Sequence, residues 1–239
     1  MKVLFVLELY YPNIGGIEKL FKSLAESLVK KGHEVTVVTT RFNKQLQKQE
    51  LLNGVKIHRL NIKNRFIFSF LGFFFILRFA KQADIIHTTS YNAAFPAWMA
   101  AKTCRKRIII TFHEVWGSLW FKLPFLNYCK RVLYYLYEQF ILKLLYDHIV
   151  AVSDYTRHRL IARGVKENRT SRIYNGLDYT CYKHGKPEPD NSFVFTYFGR
   201  LGNSKGLDIL LEASSVFVQK HDDAQLKLII PRVPKVFFK

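Results

Sequence analysis

The sequence predicts an α/β protein built on a doubly wound parallel sheet, and three observations carry that expectation. Short runs of β-forming residues alternate with helix-periodic stretches along most of the chain. The runs are continuously apolar rather than alternating, as strands covered on both faces of a parallel sheet are. The 239 residues, 49% hydrophobic and 23% charged, suffice for one large domain with a sizeable core plus part of another.

In chain order, Val3 to Leu7 is the first buried strand. The opening Met1–Leu7 resembles a signal peptide only briefly, because Glu8 cuts the apolar run and no small-residue cleavage site follows. Pro12-Asn-Ile-Gly15-Gly16 breaks the chain, and a helix follows from Ile17 to Lys31 with Leu20, Leu24 and Leu28 on one stripe. Gly32 stands where a helix C′ residue is expected. Val35–Thr39 and Val55–Leu60 are the second and third strands, and Asp84–His87 the fourth. A helix near Ala93–Ala101 leads to a fifth strand at Arg107–Phe112. A long helical region then covers Leu126–Tyr146, followed by a strand at His148–Val152 and a helix capped by Ser153 or Asp154.

Residues 179–192 shift in composition, with Lys183, Gly185, Pro187, Pro189 and Asp190 set without periodicity, and read as an interdomain linker. The expected domains are therefore 1–178 and 193–239. The second restarts with a strand at Phe193–Phe198 and a helix pattern from Leu207, and closes with a strand at Gln225–Ile230. One such unit cannot cover both of its faces, so the second domain is expected to be incomplete. Pro231–Lys239 carries no glycine turn and no helix start, which fits a truncated or frame-shifted end.

The segment Phe66–Leu77 is apolar all round and bracketed by Arg65 and Arg78. Twelve residues are too few to span a bilayer. It reads either as a core helix or as an interfacial helix with arginines at the headgroups. Trp116, Trp120, Phe121 and Phe125 follow another loop and favour the interfacial alternative.

The formal net charge is +19, a field that attracts nucleotides, nucleic acid or anionic lipid alike. No helix-turn-helix, zinc-finger or RNP-like aromatic pattern accompanies it, so nucleic acid is not an expected partner. Cys104, Cys129 and Cys181 are odd in number and widely spaced, which suggests neither a disulfide framework nor a zinc site and fits a reducing cytoplasm.

The strand ending at Gly199 runs into Arg200-Leu-Gly-Asn-Ser-Lys205-Gly206 and then an apolar helix. Strand, basic loop and helix start together make an anion site, because first-turn N–H groups and the helix dipole favour negative charge. Arg200 and Lys205 would add a fork and a point charge. The order is not that of a Walker A loop, and a solvated loop with two surface cations is the alternative.

Several motifs also stand in one order: Pro12-Asn-Ile-Gly15-Gly16-Ile-Glu18, Gly32-His33-Glu34-Val35, Asp84-Ile-Ile-His87, Thr111-Phe-His113-Glu114, Ala151-Val-Ser153-Asp154, Ile173-Tyr-Asn175-Gly176-Leu-Asp178 and Phe198-Gly199-Arg200…Lys205-Gly206. The set resembles the retaining, GT-B-fold nucleotide-sugar glycosyltransferases of family 4, also called group 1. The resemblance implies a complete Rossmann-like acceptor-side domain, the first βαβ portion of a nucleotide-sugar-binding domain, and an active site in the cleft between them.

It further implies transfer of a sugar from a nucleoside-diphosphate sugar to a saccharide or lipid-linked acceptor, without a metal or other cofactor. Gly199, Arg200 and Lys205 match the donor diphosphate loop. Gly15, Gly16 and Glu18 match the glycine loop that lets substrate approach backbone N–H groups. His113 matches the histidine that faces the donor sugar, and His87 is a candidate cleft-edge contact for the acceptor, with a core or supporting role the alternative. Ser153 is expected mainly as a helix cap, Asn175-Gly176 as a turn, and His33 as structural. The family's pair of glutamates seven residues apart, which hold ribose and sugar, has no counterpart after Ile230. Impaired transfer is therefore expected of this chain, with a peripheral position on an anionic inner membrane face, and docking without catalysis is the alternative.

Overall fold

A computed structural model of the chain describes residues 1–62, 64–124, 126–177, 193–199 and 205–230. The chain divides into two compact units, Met1–Asp178 and Tyr179–Lys239. The first holds strands β1 (Lys2–Val6), β2 (Glu34–Thr40), β3 (Gln49–Leu52), β4 (Val55–Leu60), β5 (Ile85–Thr89), β6 (Arg107–Phe112), β7 (His148–Ala151) and β8 (Thr170–Arg172). Its helices are α1 (Gly16–Lys30), α2 (Arg65–Ala80), α3 (Ala94–Thr103), α4 (Tyr128–Lys143) and α5 (Asp154–Ile161).

The strands form one sheet in the order β3-β4-β2-β1-β5-β6-β7-β8, parallel except for β3. The expected doubly wound sheet is therefore present. The chain winds outward one way from β1 and then returns to lay β5 on its other side. The order reverses between these two strands, and ligands of such sheets collect beyond the strand carboxyl ends at that point.

Strand alternation assigns the two cores. Val3, Phe5 and Leu7 pack under α1 with Phe21 and Ala25, while Leu4 and Val6 face the side covered by α2 and α3. The buried residues Phe68, Gly72, Ile76 and Ala80 of α2 recur every fourth position, one stripe of the helix. They meet Ala93, Ala94, Ala97 and Ala101, whose small side chains let α3 approach closely.

Two strands were not expected. β3 pairs with β4 across a two-residue turn in which Asn53 and Gly54 both have positive φ, the geometry that Asn-Gly favours. A side chain at Gly54 would also strike Val29. β8 is a three-residue edge strand, too short for periodicity to signal.

α1 ends as anticipated. Gly32 takes a left-handed φ of 82°, and the N–H groups of Gly32 and His33 donate to the carbonyls of Val29 and Leu28, closing a Schellman motif. Ser153 caps α5 by accepting from the Thr156 N–H at 3.1 Å. The long helical region is narrower than expected, because Asn127 caps α4 through the Lys130 N–H.

The second unit contains β9 (Phe193–Phe198), α6 (Leu207–Val218) and β10 (Ala224–Ile229), a parallel βαβ arrangement. Phe217 of α6 packs on Phe193 and Phe195. Phe198, Leu228 and Ile229 stay exposed, since one helix covers one face of a two-stranded sheet. The expected linker, Phe125, Cys181, Arg200 and Pro231–Lys239 lie outside the described residues.

Candidate functional site

Period-two alternation turns His87 of β5, and Thr111 and His113 at the end of β6, toward the α1 face. α1 brings Phe21 between the two histidines, with ring centroids 5.3 Å from His87 and 6.5 Å from His113. Its first turn carries Gly15, Gly16 and Glu18 on the loop after β1. The structure thus gathers five expected residues at the carboxyl ends of β1, β5 and β6, beside the reversal of strand order.

His87 is wedged against Phe5 and Phe21, and its Nε2 lies 2.8 Å from Thr111 Oγ1. Burial, with His113 nearby, lowers its pKa to about 4. His113 has no such partner: its Nε2 is buried without a hydrogen bond. Burial alone lowers its pKa to about 4 as well, so both imidazoles are neutral near pH 7. A neutral imidazole with an uncommitted nitrogen can donate to or accept from a hydroxyl group.

Gly15 precedes α1 and offers no side chain to cap it. The Glu18 carboxylate fills the space a side chain at Gly15 would occupy, and it accepts a 2.7 Å hydrogen bond from Asn13. A Cβ on Gly16 would meet nothing within 4 Å, so the second glycine leaves open space rather than satisfying packing.

In the second unit, Gly206 precedes α6 in a left-handed conformation, with φ of 63°. Lys205 beside it is exposed. The Gly199 N–H donates to the Ile229 carbonyl at 3.1 Å, so it belongs to the sheet ladder and is not available to a phosphate. Any role of Gly199 lies in its lack of a side chain.

Sequence reading missed one residue that governs this region. Glu138 of α4 is 1% exposed and accepts hydrogen bonds from the Trp116 and Gly117 N–H groups and from the Tyr91 hydroxyl. A lone acid on an aromatic helix gives no motif; only the fold shows what it binds.

Trp116 and Trp120, read in the sequence as favouring a membrane surface, are partly exposed. Trp116, Trp120, Tyr91 and Tyr134 form one cluster of ring contacts. The exposed apolar surface belongs to α2 and α4, where Phe70 and Phe74 are 60% and 68% exposed and Leu133, Leu136 and Phe140 lie open. α2 is thus neither wholly buried nor polar outside: one stripe is core and the rest is exposed and apolar. Among the described residues no helix is long and apolar enough to cross a membrane.

Comparison with known proteins finds relatives among glycosyltransferases. A human phosphatidylinositol N-acetylglucosaminyltransferase subunit is 25% identical over 237 residues, covering 92% of this chain and 46% of its own length. A GDP-mannose:cellobiosyl-diphosphopolyprenol alpha-mannosyltransferase of Xanthomonas campestris is 25% identical over 243 residues, covering 96% of this chain and 60% of the relative. The chain spans about half the length of the first curated relatives it matches.

Among solved structures, the sucrose-phosphate synthase of Thermosynechococcus elongatus superposes with a TM-score of 0.74 at 18% identity, over 98% of this chain and 63% of that one. HepE of Anabaena, solved with UDP-glucose, gives 0.65 at 16% identity, over 98% of this chain and 70% of that one. The fold is GT-B-like, with one complete Rossmann-like domain and the opening βαβ portion of a second. The family model described as Glycosyltransferase Family 4 matches residues 14–180, a span from the glycine loop through both histidines to the end of the first domain, and the chain belongs to that family.

Proposed function

We propose that the chain is the acceptor-side domain and the opening portion of the nucleotide-sugar-binding domain, with its diphosphate loop, of a retaining, metal-independent glycosyltransferase. The donor is a nucleoside-diphosphate sugar, and the acceptor a lipid-linked or other saccharide in polysaccharide or glycoconjugate assembly. Family membership and the nucleotide-sugar or lipid-linked substrates in the relatives' names support this reading. The observation that carries it is His113, half-buried at the end of β6 with its buried Nε2 unpartnered, near the start of α1 at Gly15-Gly16.

In this reading neutral His113 hydrogen-bonds a donor-sugar hydroxyl, and Gly15 and Gly16 admit substrate to the start of α1, with Glu18 bracing the turn. Lys205 and Arg200 offset the charge of the departing diphosphate, a task a divalent metal performs elsewhere. His87 holds Thr111 and Phe21 beneath the site. The apolar outer face of α2 and the net charge of +19 support a peripheral position on an anionic membrane at its cytoplasmic face.

Because the chain spans about half of its first relatives, the 239 residues alone are expected to bind donor weakly and transfer no sugar. Micromolar donor binding by calorimetry, or turnover of labelled donor by this chain, would overturn that expectation. In a protein of the relatives' full length that contains this segment, transfer should survive chelation of divalent ions and keep the donor's anomeric configuration by NMR. An inverted product or loss of rate on chelation refutes the respective part.

A further inference from the structure

We propose that Glu138 is a positioning residue, whose buried carboxylate fixes the loop after His113 and ties it to the turn after β5. Its Oε1 accepts from the Trp116 N–H at 2.8 Å and from the Tyr91 hydroxyl at 3.0 Å, and its Oε2 accepts from the Gly117 N–H at 2.6 Å. Three donors converge on one side chain that is 1% exposed. No Lys or Arg pairs with it among the described residues, so these hydrogen bonds are what satisfies the buried acid.

The two segments it joins need holding. Tyr91 has a φ of 71°, outside the usual range for an aromatic residue, and Gly117 has a φ of 53°. A side chain at Gly117 would collide with the Arg163 guanidinium. Arg159 adds a hydrogen bond to the Trp116 carbonyl at 2.8 Å, so both edges of that peptide segment are gripped. The Tyr137 hydroxyl donates to the Tyr91 carbonyl at 3.4 Å from the same helix.

One turn of α4 therefore sets the backbone that leaves both strand ends of the candidate site. His113 lies three residues before Trp116, so the loop that Glu138 holds is the one that leaves His113, whose Nε2 is unpartnered. Glu138 touches no substrate; it acts through the loop. Its catalytic meaning rests on the transferase reading, in which His113 faces the donor.

The test needs no donor, so its failure and the failure of that reading are distinguishable. NMR of the full 239-residue chain follows amide exchange at Trp116 and Gly117 and the titration of His113, assigned with His113→Gln. Among the described residues His87 of β5 is the titratable group coupled electrostatically to His113, and Glu114 follows it in the chain. In Glu138→Gln the amide side chain presents a donor to a backbone N–H, and both amides should exchange about tenfold faster or more. The His113 midpoint should rise from about 4 toward 6.5 as the loop admits water, while His87 stays low. Ile57→Ala, which destabilises from β4, three strands away from β5, should leave the His113 midpoint unmoved.

If Glu138→Gln does not fold, Tyr91→Phe removes a single hydrogen bond and should give a smaller shift in the same direction. A folded variant in which neither the amides nor His113 respond, or an Ile57→Ala control that moves His113 equally, overturns the role.

Discussion

At the residue scale the site depends on keeping two histidines neutral. His87 and His113 both have pKa values lowered to about 4 by burial, against 6.5 for a free imidazole. Between those values the unfolded chain binds protons that the folded chain does not, so stability rises with pH there. It is complete above about pH 6.5 and is lost as pH falls toward 4. His87→Gln should remove about 1.4 kcal/mol per pH unit from the slope of stability near pH 5, read from denaturant midpoints at several pH values. An unchanged slope would mean that His87 titrates normally. The neutral imidazoles also fix a catalytic expectation: transfer by the full-length protein should vary little from about pH 6 to 8 on account of His113.

At the element scale α2 carries two environments on one sequence of phenylalanines. Phe68 is fully buried against α3, whereas Phe70 and Phe74 stand more than half exposed. Phe68→Ala should cost about 3–5 kcal/mol. Phe70→Ser and Phe74→Ser should each stay within about 0.5 kcal/mol. Urea melts of the three variants separate these outcomes; equal losses would show that the outer face is also covered. Ring contacts continue that face across three helices, from Phe66 to Tyr134 and from Phe70 through Phe95 to Phe140. An outer surface of this kind is unusual unless something apolar meets it.

At the scale of the whole molecule the relevant quantities are the net charge of +19 and that apolar face together. Charge alone would bring the chain to an anionic bilayer and release it in salt; buried phenylalanines would hold part of it. Sedimentation with phosphatidylglycerol vesicles should show strong binding at about 50 mM salt and partial release at about 500 mM. Phosphatidylcholine vesicles should bind little. Phe70→Ser with Phe74→Ser should abolish the salt-resistant fraction. Binding indifferent to both lipid charge and these substitutions would leave α2 without a membrane role.

How much of this is legible in the sequence follows from the range of each interaction. Local signals determined the parallel strands, the Gly32 helix stop, the Ser153 cap and the order of motifs that marks the family, because periodicity and caps act within a few residues. The β3 hairpin is signalled by Asn53-Gly54, but its strand is too short and too polar for hydrophobic patterning to register. The apolar sequence of α2 could not say which phenylalanines are core, since that depends on where α3 lies. The approach of His87 and His113 to Phe21 required the sheet order, which no local pattern encodes. Glu138 was silent in the sequence altogether, because a buried acid is defined by the three donors that reach it, and those come from segments 21 to 47 positions away.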